Sequence, residues 1–228
     1  MAKQTRKNWT EIKAQSSWRM FKIMAEFVDG FEKLDETGPC VSIFGSARTK
    51  PDNTYYKQAE ELAQKLVDAG YGIITGGGPG IMEAANKGAK ESGGVSVGLH
   101  IELPHEEGCN EYVDPDKIIA FKYFFARKVM FIRYAQAVVY MPGGFGTMDE
   151  LFEVLTLVQT QKIQHIPIVF FGSSYWNGLI DWMEKTMLLE AKNISAKDLK
   201  LFHVTDDTSE VVRIIEAHYA NQKLTPNF

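Results

Sequence analysis

The chain has 228 residues, of which 45% are hydrophobic and 24% charged, and 25 basic against 29 acidic residues give a formal net charge of −4 at pH 7. A chain of this size buries a full core in a single domain, and its slightly acidic balance gives no bulk reason to expect nucleic acid or an anionic membrane surface as a partner, so any phosphate must be bound locally. Residues 1–13 carry charges throughout, no apolar run approaches the roughly 20 residues that cross a bilayer, and two cysteines, Cys40 and Cys109, are too few for a disulfide framework, so a reduced, cytoplasmic protein is expected.

In chain order, Phe21, Met24, Ala25, Val28, Phe31 and Leu34 recur mostly at three- and four-residue steps, which predicts an amphipathic helix over 18–34, packed on the core or on a partner. This gives a helical extension, 1–37, ahead of one α/β domain, 38–228. Within that domain the pattern predicts a strand over 40–44 ending at Gly45-Ser46, a helix over 55–69, and a strand over 71–75 ending in Gly76-Gly77-Gly78-Pro79-Gly80. A helix from Ile81 and a strand over 95–99 follow, and then a long loop, 104–116, over the site. Strands over 117–121, 137–141, 166–171 and 201–204 alternate with helices over 123–134, 147–161, 175–189 and 209–220. Such alternation predicts a doubly wound, Rossmann-like, mostly parallel α/β sheet with helices on both faces, whose ligands bind outside the carboxyl ends of the strands.

The stretch Pro142-Gly143-Gly144-Phe145-Gly146-Thr147-Met148-Asp149-Glu150 sets a flexible turn, a hydroxyl and a carboxylate behind the apolar run 137–141. It reads as a phosphate cradle, because the first amides and the positive end of a following helix favour an anion, with Glu150 about one turn inside. Rival motifs are missing. Gly45-Ser46-Ala47-Arg48 lacks the G-x-G-x-x-G of a dinucleotide site, Gly78-Pro79-Gly80-Ile81-Met82-Glu83 puts Glu where the third glycine belongs, and neither G-x-x-x-x-G-K-[ST] nor G-x-S-x-G occurs. The histidines, His100, His105, His165, His203 and His218, are not paired at a helical ligand spacing, and His105, Glu106, Glu107 and Cys109 read as a solvated loop, so no metal is expected. Arg127, on the helix that feeds the strand before Pro142, is the remaining candidate, set against the plainer role of a surface ion pair.

Ala126-Arg127-Lys128-Val129-Met130 and the Pro142 to Glu150 stretch together resemble the paired motifs of the Lonely Guy family, R-K-x-x-M and P-G-G-x-G-T-x-x-E. The second fits in full, whereas the first has its methionine one position early. Gly45-Ser46-Ala47 and Thr75 through Ala85 extend the likeness over 41–171, and the residues ahead of Cys40 suit a longer, bacterial-type branch. The resemblance implies a metal-independent, cofactor-free hydrolase that cleaves the N-glycosidic bond of AMP or a cytokinin riboside monophosphate. Glu150 and Arg127 would be its catalytic residues. Gly45, Ser46, Gly77, Gly78, Lys128, Gly143, Gly144, Gly146 and Thr147 would bind the nucleoside monophosphate, in a homodimer or higher homo-oligomer. The same fold also resembles molybdenum cofactor carriers, so a non-catalytic carrier is the alternative. A decarboxylase, a label often given to this family, would require a Schiff-base lysine for pyridoxal phosphate, and no lysine stands in a convincing context.

Overall fold

The computed structural model describes residues 9–102 and 108–228, with side chains described from Ser17 onward. Helix α1 (Trp9–Leu34) leads into a βα alternation: β1 (Cys40–Phe44), α2 (Thr54–Asp68), β2 (Gly72–Thr75), α3 (Ile81–Glu91), β3 (Ser96–Ile101) and β4 (Ile118–Phe121). It continues through α4 (Phe124–Arg133), β5 (Ala135–Tyr140), α5 (Phe145–Gln159), β6 (Ile168–Phe171) and α6 (Ser173–Trp182) to β7 (His203–Thr205) and α7 (Thr208–Tyr219). Every strand pair is parallel, in the order β4-β3-β2-β1-β5-β6-β7. The chain therefore winds outward from β1 in both directions, and the order reverses between β1 and β5, where α/β sheets open a ligand crevice.

The strands are short runs buried on both faces, as a covered parallel sheet requires. Side chains alternate between two cores. Val41, Ile43, Val139 and Met141 pack with α2, α3 and α7, while Phe44, Val138 and Tyr140 pack with α1, α4, α5 and α6. The expected fold is thus the observed one. Two boundaries differ in ways that matter: α5 begins at Phe145 rather than Thr147, and α6 runs on without a break into a π-helical turn, Met183–Glu190. Of the loop residues weighed as ion ligands, His105, Glu106 and Glu107 lie outside the described residues.

Helix α1 is joined to the domain by three kinds of contact. Leu34 is fully buried, Gly30 receives the Met130 side chain, which a Cβ would meet at 2.9 Å, and the Glu26 carboxylate accepts from the amides of Lys122 (3.0 Å) and Tyr123 (3.3 Å) ahead of α4. The apolar stripe of α1 turns the other way: Trp18, Phe21, Met24 and Val28 are exposed. Among the described residues no helix is long and apolar enough to cross a membrane.

Candidate active site

A cavity of about 900 Å³ opens at the carboxyl ends of β1, β2 and β5, at the reversal of strand order. Its floor is made by turns that are tied to one another. The Ser46 amide donates to Pro142 O (3.0 Å), the Ser46 carbonyl accepts from Ile81 N (3.1 Å), and Ser46 Oγ accepts from Arg48 N (3.1 Å), so one residue links the turns after β1, β2 and β5. Gly45 stands where a Cβ would lie 2.5 Å from Ile81 Cγ2, and it lets α3 approach that closely.

The turn after β5 has the geometry of an anion-binding element. Helix α5 makes its first bond from Met148 N to Gly144 O (3.1 Å), which leaves the amides of Phe145, Gly146 and Thr147 without an acceptor inside the helix, and no side chain among the described residues caps them. Because the helix starts at Phe145, all three belong to its first turn. A Cβ on Gly143 would land on Thr147 Oγ1 and within 2.6 Å of Thr147 Cβ, whereas Gly144 and Gly146 face open space. Tyr175, from α6, donates its hydroxyl to Gly143 O and braces the turn from outside.

Glu150 sits one turn further in, only 3% exposed, and Oε2 has no hydrogen-bond partner among the described residues. Burial pushes its carboxyl up to about 7, against the pull of Lys128 and Arg127 and with the push of Glu153 and Asp149. A buried acid poised near neutrality beside open space is the usual signature of a working group rather than a structural one. Tyr140, fully buried on β5, donates to Glu150 O (3.1 Å) and fixes this turn of α5.

Arg127 lines the cavity from α4, with its guanidinium carbon 5.1 Å from the Phe124 ring centroid and 5.5 Å from that of Phe131. Ser42, a polar residue within β1, donates to Phe131 O (2.9 Å) and holds α4 against the sheet. The displaced methionine now has a reason. Phe131 is one turn after Arg127, on the same face and in the cavity wall, while Met130 points to Gly30 of α1.

Of the expected site residues, Arg127, Glu150, Gly45, Ser46, Gly78, Gly143, Gly144, Gly146 and Thr147 come together around this cavity. Gly77 and Lys128 are not in its lining. Gly77, at φ 72°, donates to Thr75 Oγ1 (2.9 Å) and accepts from Asn110 N (2.7 Å) and Nδ2 (3.0 Å), within a buried network in which Asn86 joins Thr75, Ser96 and Asn110. Lys128 turns to Asp149 and Glu153. Sequence reasoning missed Arg48, Tyr55, Phe124, Phe131 and Tyr175, all in the lining. Helical spacing from Arg127 points to Phe124 and Phe131, and the end of β6 points to Tyr175; Arg48 and Tyr55 carry no local signal.

Residues 82–215 match the family model described as "possible lysine decarboxylase". The chain belongs to this family, the Lonely Guy family. Its relatives include a cytokinin riboside 5′-monophosphate phosphoribohydrolase of Arabidopsis thaliana, 28% identical over 182 residues, which are 78% of this chain and 81% of the relative. An uncharacterized protein of Archaeoglobus fulgidus is 31% identical over 124 residues, 53% of this chain and 78% of that protein. Among solved structures, the molybdenum cofactor carrier protein of Chlamydomonas reinhardtii superposes with a TM-score of 0.58 at 24% identity, over 81% of this chain and 99% of the carrier. The molybdenum cofactor binding protein of Rippkaea orientalis gives 0.58 at 19% identity, over 80% and 98%. At such identities these structures establish the Rossmann-like fold that this Lonely Guy chain shares with them.

Proposed function

We propose that this Lonely Guy protein hydrolyses the N-glycosidic bond of a purine nucleoside 5′-monophosphate, AMP or a cytokinin riboside monophosphate, to free base and ribose 5-phosphate without a metal. The observation that carries this reading is the buried Glu150 carboxyl, whose Oε2 has no hydrogen-bond partner among the described residues, one turn behind the open amides of Phe145, Gly146 and Thr147, with Arg127 lining the same cavity. A 5′-phosphate on those amides fixes the ribose relative to the carboxylate. Cleavage builds positive charge on the anomeric carbon, and an ionised Glu150 stabilises that charge and orients the attacking water in a poorly solvated site, where the interaction is strong. Arg127, oriented by its two aromatic neighbours, engages the nucleotide. The decarboxylase description fits the residues less well. No lysine lines this cavity among the described residues, and Lys128, whose ammonium is favoured by its two carboxylate partners, is not poised to act as an amine nucleophile. Chromatography after incubation with a panel of nucleoside monophosphates tests the proposal: a purine base must be released, and the ranking of AMP against prenylated nucleotides identifies the substrate.

We infer a homodimer as well. Trp18, Phe21, Met24 and Val28 of α1 and Phe124 and Phe125 of α4 are exposed aromatic or aliphatic side chains, and apolar surface of this kind marks an interface. Sedimentation equilibrium is expected to give twice the chain mass of 25.7 kDa, and a monomer at micromolar concentration would contradict it.

A further inference from the structure

Arg127 and Lys128 are neighbours in the chain, yet on a helix consecutive side chains leave about 100° apart. The structure uses that angle to separate them. Arg127 faces the cavity, whereas the Lys128 ammonium lies 2.8 Å from Asp149 Oδ2 and 2.6 Å from Glu153 Oε2, with 14% of the side chain exposed. Asp149 and Glu153 are one turn apart on α5 and flank Glu150. We propose that Lys128 is a positioning residue: it joins the helix that carries Arg127 to the helix that carries Glu150, through Asp149 and Glu153, and it is not a ligand of the nucleotide.

Geometry and charge agree on this role. Two carboxylates occupy the ammonium on the α5 side, so it is committed to protein partners; the lysine side chain is largely buried, Glu153 is half-buried and Asp149 is exposed, so the contact with Glu153 is the firmer of the two. The bridge also sets the field at Glu150. The charged groups acting on that carboxyl are Lys128 and Arg127 from α4 and Asp149 and Glu153 from α5, while the fully buried Tyr140 from β5 donates to the backbone oxygen of the same residue. Lys128 is the largest influence opposing the effect of burial on Glu150, while Asp149 and Glu153 reinforce that effect. Loss of the ammonium would therefore leave a buried acid among like charges with Arg127 as its cation.

The role in turnover rests on the phosphoribohydrolase reading, but the bridge itself does not, so the test is read without turnover. The Glu150 carboxyl is titrated by carbon NMR in the wild type, Lys128→Met, Lys128→Arg and Glu153→Gln, and ribose 5-phosphate binding is measured by calorimetry in the same proteins. Lys128→Met is expected to raise the Glu150 midpoint by about one pH unit and to change ribose 5-phosphate affinity by less than about threefold. Lys128→Arg restores the midpoint. Glu153→Gln lowers it, an opposite sign that keeps the test decisive if Lys128→Met does not fold. A tenfold or greater loss of ribose 5-phosphate affinity in Lys128→Met would make Lys128 a phosphate ligand and overturn the proposal. So would a midpoint that does not move in any of the variants. A wild type that cleaves no nucleoside monophosphate would sink the functional reading while leaving these midpoints to judge the bridge.

Discussion

Replacing Glu150 with Gln is expected to lower kcat by roughly a thousandfold, the scale on which removal of a preorganised electrostatic stabiliser acts in a dry site. The same change is expected to make the protein more stable at pH 8. Burial holds the folded Glu150 carboxyl at about 7, above its ordinary 4.5. Between those values the folded chain binds a proton that the unfolded chain has released, so stability falls as pH rises through the window, and the loss is complete above about pH 7. Integrated over that window the cost is on the order of 3 kcal/mol, and Gln does not incur it. Urea unfolding at pH 5 and pH 8 should show the variant gaining on the wild type mainly at pH 8. Equal differences at both would mean that Glu150 is not held near neutrality. The wild-type acid limb of kcat/KM should fall near pH 7 for the same reason, since the proposed reaction uses the ionised carboxylate.

Gly143→Ala is expected to separate phosphate binding from bond cleavage. Its methyl group would land on Thr147 Oγ1, and the backbone would have to move the first turn of α5 away from the β5 turn. The amides of Phe145, Gly146 and Thr147 would then no longer converge. Each charge-assisted hydrogen bond to phosphate is worth about 1.5–3 kcal/mol, so loss of one or two raises KM for a nucleoside monophosphate by roughly a hundredfold. A nucleoside without the phosphate does not use those amides, and its slow hydrolysis should change by less than about threefold. An equal loss on both substrates would place the phosphate elsewhere. Gly144→Ala is the matched control for the turn itself, because its Cβ meets nothing within 4 Å in the protein.

The sheet was legible because buried strands and glycine-rich turns are local signals. The run 137–141 followed by Gly143-Gly144 marks a strand end whatever surrounds it, and every strand end that the sequence marked as open contributes to the cavity. Rotation of helices about their axes was not legible. R-K in a motif puts both residues near a site, but whether Lys128 meets a phosphate or Asp149 and Glu153 depends on how α4 lies against α5, which is set by distant contacts such as Ser42 to Phe131 O and Met130 in the notch at Gly30. Periodicity likewise found the apolar stripe of α1 without showing that Glu26, Gly30 and Leu34 face the domain while Phe21, Met24 and Val28 face away. The end of β6 points to Tyr175, but its hydrogen bond to Gly143 O was not legible, because it depends on β5 and β6 lying side by side in the sheet.

The central claim is that Glu150 and the α5 amides act together to cleave a nucleoside monophosphate. A time course with AMP, following adenine and ribose 5-phosphate by chromatography while bound nucleotide is measured in parallel, tests it directly. The wild type should release the two products in equal amounts, and Glu150→Gln and Arg127→Ala should bring release close to the uncatalysed rate. Tight AMP binding with no product, unchanged by Glu150→Gln, would contradict the claim and identify a nucleotide carrier instead.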